Sequence, residues 1–480
     1  MKRHSGVLMH VSSLHGDYSI GSFGKEAREF IDLLAESGFS YWQMLPFCMT
    51  DECNSPYKSY SAFGGNPFFI DLQTLHEKGL LTAEELDGAR QESPYLCEFD
   101  RLRAERIALL ARAAERAKED KALCRKVSKF LAEHKELADA AKFLALKDAN
   151  GELPWQEWKI KRPAPEALWL WKFIQFEFFS QWIEIKTYAN SKGVKLIGDV
   201  PIYVALDSAD VWANRELFLL DERDRPTAVA GVPPDYFSED GQLWGNPLYN
   251  WERMKKDGYA WWCRRIEHML TLFDGVRIDH FRGLEAYWSI PADAETAKAG
   301  AWVKGPAEEM VDKIREVAGD RLIIAEDLGD ITKEVVDLLE YSGLPGMRVF
   351  QFAFLGDRET PHLPHNYSAN CIAYTGTHDN NTLLGYIWEC DDYTRRRIFS
   401  YCGYNGENWD DGCRAIVKAM FASHAGTVIF PIQDILLYGA DTRMNTPGTS
   451  KHNWAFRITK EQLDTIDRGY FAYLNELYTR

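Results

Sequence analysis

The sequence contains no run of eighteen or more apolar residues, so no segment reads as a membrane-spanning helix. It also lacks a secretory signal: the short apolar stretch behind the first charged residues is interrupted by His10 and by Ser12 and Ser13. Basic charge is in deficit. Lys and Arg total 56 against 72 Asp and Glu, a net charge of −16. That is the wrong sign for a nucleic acid or an anionic membrane as partner, since both demand clustered Lys and Arg. The nine cysteines include no C-x-x-C pair and are odd in number, which reads as reduced thiols in a cytoplasmic protein rather than a disulfide framework. The histidines show no metal-ligand spacing, so neither metal nor organic cofactor is expected. Internal repeats, low-complexity tracts and Pro/Ser linkers are missing too, so nothing marks an independent second domain.

What is there suits a large core. Over 480 residues, 46% are hydrophobic, 13% aromatic and 27% charged, a profile that excludes a disordered or fibrous chain. Eight short β-rich runs recur at 6–11, 41–45, 195–200, 275–279, 321–326, 347–351, 371–375 and 426–430. Most are nearly continuous apolar runs, as in strands buried on both faces of a parallel sheet. The connections look helical. From Lys25 to Ser37, Ala27, Phe30, Ile31, Leu33 and Leu34 make one stripe ending at Gly38. Such alternation predicts an α/β fold, a (β/α)8 barrel over 1–480, with a doubly wound open sheet as the alternative. Two insertions depart from the minimal barrel. Residues 73–160 read as a mainly helical insertion, a solvated one by its charge. Residues 207–251, rich in Pro, Gly, Asp and aromatics without a clear period, read as a loop insertion, a structureless run of the length that usually serves function.

In such barrels the site lies at the C-terminal strand ends, and these ends are polar. They supply Asp199, then Arg277, Asp279, His280 and Arg282, then Glu326 and Asp327, then Thr377, His378 and Asp379. Arg277 and Asp279 are two apart on a strand, so both project to one face. A guanidinium beside a carboxylate favours its ionised form. A second carboxyl in a less polar place can keep a proton and act as general acid. That division of labour is what retaining glycoside cleavage requires. A buried ion pair is the plainer explanation of Arg277 and Asp279 alone; the other acidic strand ends argue beyond it. Aromatics in polar segments, among them Tyr57, Tyr60, Tyr236, Phe237, Trp244 and Tyr249, suit sugar rings, whose faces are apolar and whose rims carry hydroxyls.

The segments HVSSLHGDYSIGSFG (10–24), SPYKSYSAFGGNPFFIDL (55–72), GDVPIYVALDSADVWANRELF (198–218), AGVPPDYFSEDGQLWGNPLY (230–249), DGVRIDHFRG (274–283), IIAEDLG (323–329), GMRVFQFAF (346–354) and YTGTHDNNTLLG (374–385) together closely resemble the 4-α-glucanotransferases, also called amylomaltases or disproportionating enzymes, a branch of the α-amylase superclan. The resemblance runs through nearly the whole chain. It implies transfer of a segment of an α-1,4-glucan to the 4-hydroxyl of glucose or of another glucan, through a covalent glucosyl-enzyme. It implies Asp279 as nucleophile, Glu326 as general acid/base and Asp379 as the carboxylate that stabilises the transition state. Arg277, His280, His378, Asp199 and Tyr57 match residues around the cleaved glucose. Asp235, Tyr236, Phe237, Gln242 and Trp244 match a loop covering the cleft, and Asn445 a late loop that touches substrate. The family also implies no separate C-terminal β-domain. Two positions depart from the family pattern: Asn381 where an acid is common, and His15 where proline is. Against this stand a retaining α-glucan hydrolase using the same carboxylates, a non-catalytic glucan-binding protein that keeps the aromatics, and a barrel metalloenzyme using His378 and Asp379. The implied partners are α-1,4-glucans and maltooligosaccharides, with glucose as acceptor; the oligomeric state is open.

Overall fold

A computed structural model describes residues 3–50, 53–234, 238–356, 359–449 and 451–480. Among them the strands are, in chain order, β1 (His4–Leu8), β2 (Tyr41–Gln43), β3 (Lys195–Val200), β4 (Ala228–Val232), β5 (Gln242–Pro247), β6 (Gly275–Ile278), β7 (Ala286–Pro291), β8 (Ala301–Lys304), β9 (Leu322–Ala325), β10 (Gly346–Val349), β11 (Cys371–Tyr374) and β12 (Thr427–Pro431). Eight of them, β1, β2, β3, β6, β9, β10, β11 and β12, close into a parallel barrel in that order. Each of the eight apolar runs supplies one. The pairing of β1 with β12 settles closure over an open sheet: His4 faces Thr427 and Leu8 faces Pro431.

Burial explains the near-continuous hydrophobicity. Leu8, Ile197, Ile324, Ile372 and Ile429 fill the barrel interior, while their neighbours Val7, Leu196, Ile323, Ala373 and Val428 pack outward against the helices. Between β1 and β2 the Lys25–Glu36 helix buries the predicted stripe. After β9 the Lys333–Ser342 helix ends on Gly343, whose φ of 65° is the left-handed cap that glycine adopts without strain. Between β10 and β11 the described residues form only short 3-10 turns, at Phe350–Phe352 and Pro364–Asn366.

The long connection from β2 to β3 carries a set of helices up to Lys135–Ala149 and then the 27-residue helix Pro165–Ser191, which packs on the barrel. Trp169 Nε1 donates to Ala114 O at 2.8 Å and Trp171 Nε1 to an Asp148 oxygen at 2.6 Å, tying the two parts together. The stretch 207–251 is more ordered than a loop. Its strands β4 and β5 join β7 and β8 in an antiparallel sheet of order β5-β4-β7-β8. That sheet is not visible as alternation in the sequence because β5 holds Gly245 and Pro247 and β8 is exposed at all four positions.

Candidate functional site

Strand register builds the centre. Asp199 on β3 lies opposite Arg277 on β6, and Ile278 lies opposite Ala325 on β9. The next residues are therefore Asp279 and Glu326, side by side on strands about 4.8 Å apart. Backbone bonds carry the alignment past the strand ends: Asp279 N donates to Val200 O at 3.0 Å and Glu326 N to Ile278 O at 3.1 Å. Counting by two from the interior residues Ile197 and Ile324 puts Asp199 and Glu326 on the inner face.

Arg277 is buried and forks between two carboxylates. Nη1 donates to Asp199 Oδ2 and Nη2 to Asp279 Oδ1, each at 2.7 Å, while Nε reaches Met347 Sδ at 3.4 Å. Burial alone would lower the guanidinium, but Asp199 and Asp279 hold it well above its ordinary value. Burial pushes Asp199 up, and Arg277 opposes that. Glu326 takes two backbone amides, from Leu328 at 2.8 Å and from His280 at 2.6 Å. Burial nevertheless dominates and raises it to about 7, with Arg277 pulling down and Asp279 adding to the rise. The site thus holds a carboxylate clamped by a cation next to a carboxyl that keeps its proton near neutrality.

His280 follows the strand end at φ 55°, a left-handed conformation that costs a non-glycine residue of order 1 kcal/mol and directs its amide at Glu326. Its ring meets Trp244 edge-on with centroids 5.0 Å apart, and burial lowers it to about 4, so the ring is neutral. A Cβ on Gly283 would come 3.0 Å from that ring and 2.8 Å from the Ile202 Cδ1 methyl, so the glycine leaves the ring close-packed against its neighbours. Trp244 donates its indole N–H to Gln242 Oε1 at 3.0 Å. Both stand on β5, beside a cavity of about 850 Å³ lined in part by Tyr60, Lys147, Asp207, Trp244 and Asn246.

The loop after β11 brings the third carboxylate. Tyr57 bridges to it: its hydroxyl donates to Asp199 Oδ2 at 2.8 Å and lies 3.3 Å from His378 Nδ1, with the two rings stacked at 4.9 Å. His378 Nε2 is 3.5 Å from Asp379 Oδ2, and Asn445 Nδ2 donates to Asp379 Oδ1 at 2.6 Å. Contacts therefore run unbroken from Asp279 through Arg277, Asp199, Tyr57 and His378 to Asp379 and Asn445. Two buried polar atoms along this wall, Asp199 Oδ1 and His280 Nε2, have no protein partner, as expected of atoms that await ligand hydroxyls.

Asp235, Tyr236 and Phe237 lie outside the described residues. Sequence reasoning missed Trp454, whose ring is 5.9 Å from those of both Tyr57 and His378, and Arg443, which donates to Asp379 O at 2.9 Å. An aromatic in the polar stretch after Asn445 was the available signal. The two departures have local partners. Asn381 donates to Glu389 Oε1 at 2.8 Å, which an acid in its place could not do, and His15 sits 3.3 Å from Glu29. Among the described residues no group of three or more His, Cys, Asp or Glu is arranged to hold a metal ion, and no helix is long and apolar enough to cross a membrane.

Residues 9–463 match the sequence profile of a 4-alpha-glucanotransferase family. A 4-alpha-glucanotransferase of Thermus thermophilus is 44% identical, over 96% of this chain and 96% of its own. One from Clostridium butyricum is 42% identical, over 98% of this chain and all of its own. Among solved structures, an amylomaltase from Streptococcus agalactiae in complex with acarbose superposes with a TM-score of 0.96 at 38% identity, covering the whole of both chains.

Proposed function

The chain belongs to the 4-alpha-glucanotransferase family, and from that membership we propose how its residues divide the work. It is a 4-α-glucanotransferase that acts on α-glucans by retaining transfer. Asp279 is the nucleophile. Arg277 occupies its Oδ1, which leaves the second oxygen to attack the anomeric carbon. Glu326 donates its proton to the glycosidic oxygen, the bond to the leaving chain breaks, and an ester joins Asp279 to the sugar. Placement on adjacent in-register strands suits the short carboxyl separation of a retaining pair rather than the wider gap that admits a water.

Ester formation removes the negative charge of Asp279. That charge helps to hold Glu326 high, so Glu326 becomes more acidic when its task changes to taking a proton from the incoming 4-hydroxyl. The acceptor then displaces Asp279 with net retention. Asp379 holds hydroxyls of the distorted sugar, steadied by Asn445 and His378, while the orphan atoms Asp199 Oδ1 and His280 Nε2 take others. Gln242 and Trp244 wall the cleft, and the cavity beyond Trp244 gives longer chains room. Glucose is the smallest acceptor in this reading, and the reduced thiols suit a cytoplasmic setting.

The observation that carries this is the pairing of an Arg-clamped Asp279 with a Glu326 raised to about 7. Incubation with maltotriose tests it. Transfer yields glucose and a ladder of longer oligomers at constant total reducing ends. Reducing ends that rise with donor consumption mean a hydrolase, and a folded protein without turnover means a binding protein.

A further inference from the structure

Outside the cleft one indole stands apart. Trp388 is 72% exposed, whereas the next most exposed described tryptophan, Trp302, is at 38%. The Trp388 ring is held against Trp409, centroids 4.9 Å apart and planes at 68°. Trp409 in turn lies under the Arg395 guanidinium, 4.6 Å from the ring centroid. Arg395 is fixed by the carbonyls of Cys390 at 2.9 Å and Ile387 at 3.3 Å and by the Asp392 carboxylate. The exposed face is therefore a supported, rigid platform, and Tyr393, 77% exposed, lies on the adjoining helix.

We propose that Trp388, backed by Trp409, is a surface site for a segment of an α-1,4-glucan chain whose other end occupies the cleft. An indole face matches the apolar face of a pyranose, and the charged neighbours Arg395, Asp392 and Glu389 match its hydroxyl rim. The patch is one ring pair with a charged border, far short of the roughly 800 Å² per partner of a stable protein interface. Its position connects it to the reaction. Trp388 is on the Leu383–Glu389 helix, which leaves the Asp379 loop directly, and Asn381 of that loop holds Glu389. Trp388 lies nine positions after Asp379 and the second half of that interval is helical, so the two are within about 25 Å of each other, near enough for one extended glucan chain to touch both. The proposal rests on the α-glucan reading above.

The test compares substrates of two lengths. In Trp388→Ala, kcat/KM with maltotriose stays within about twofold of wild type while KM for amylose rises roughly five- to tenfold, the contact of one aromatic ring. Trp388→Phe keeps a flat ring and recovers most of the affinity. In inactive Asp279→Asn protein with its cleft saturated by maltotriose, a native gel containing amylopectin is still retarded, and Trp388→Ala removes that retardation. An unchanged amylose KM or unchanged retardation overturns the site. So does loss of a dimer in Trp388→Ala by light scattering without loss of retardation, which would assign the patch to a second copy of the chain. Failure of wild type on maltotriose would instead count against the transferase reading itself.

Discussion

Glu326 is where one side chain decides the chemistry. With its carboxyl raised to about 7 by burial, and held there partly by Asp279, it is protonated in the free enzyme below that pH. Raising the pH through about 7 removes the proton that the leaving chain needs. kcat/KM for maltotriose should therefore fall about tenfold per pH unit above 7, as a pH–rate profile would record. Asp279→Asn removes a neighbouring negative charge. Transfer should drop by at least about a thousandfold, and the Glu326 titration followed by carboxyl NMR should move below 7; a titration that stays put would mean burial alone sets it. Tyr57→Phe deletes a donor to buried Asp199. Asp199 Oδ2 keeps its Arg277 donor, but losing a hydrogen bond to a charged group costs about 1.5–3 kcal/mol, so kcat/KM should fall roughly ten- to a hundredfold. The spacing of Arg277 and Asp279 made their shared face legible in the sequence, because period two needs only local geometry. The Tyr57, Asp199 and His378 cluster was visible only by family resemblance: these partners are 142 and 321 positions from Tyr57 along the chain, and only barrel closure brings them together.

Each buried strand writes a short apolar run, and that is why all eight barrel strands could be read from the sequence. The β5-β4-β7-β8 sheet writes no such run. It is half-solvated, its β8 edge is exposed, and its small core is centred on Val229, Ile290 and Ala297. Its link to the site is Trp244 on β5. A Cβ at Gly231 on β4 would fall 2.2 Å from the Gln242 carbonyl, so Gly231→Ala should push β5 from its register. It should cost activity through Trp244, read as a rise in KM larger than the fall in kcat. On the opposite side, Asp434 ties both ends of the loop that carries His378 and Asp379. Its Oδ2 accepts from the Thr375 hydroxyl at 2.5 Å and its Oδ1 from the Leu383 amide at 2.7 Å. Asn in its place offers one acceptor oxygen where two are used. Asp434→Asn should therefore lower kcat/KM about ten- to a hundredfold and leave the pH limb near 7 unmoved, because Glu326 is untouched. A lower melting temperature with full activity in the folded protein would show that the loop is positioned by something else.

At the scale of the molecule, barrel closure is the premise of everything at its rim, since the site takes side chains from Tyr57 to Asn445. The seam lies between β1 and β12, and Arg480 bridges it at the end of the barrel remote from the chemistry. Its guanidinium donates to Phe421 O at 2.8 Å, Ser423 O at 3.0 Å, and His4 O and Ala425 O at 3.1 Å each, joining the residue that opens β1 to the turn that leads into β12. Arg480→Ala takes this donor from the His4 and Ala425 carbonyls, while those of Phe421 and Ser423 keep the Arg3 guanidinium, a cost of about 1–3 kcal/mol, which in a protein of this size amounts to a few degrees of melting temperature. Because the opposite end of a barrel serves stability rather than catalysis, transfer at 25 °C should stay within about twofold of wild type. On heating, activity and near-ultraviolet circular dichroism should be lost together at the lowered midpoint, since opening the seam separates the strands that hold Asp199, Asp279 and Glu326. Activity lost well before the dichroism would mean that the rim loops melt on their own and that the seam is not what holds the site in register.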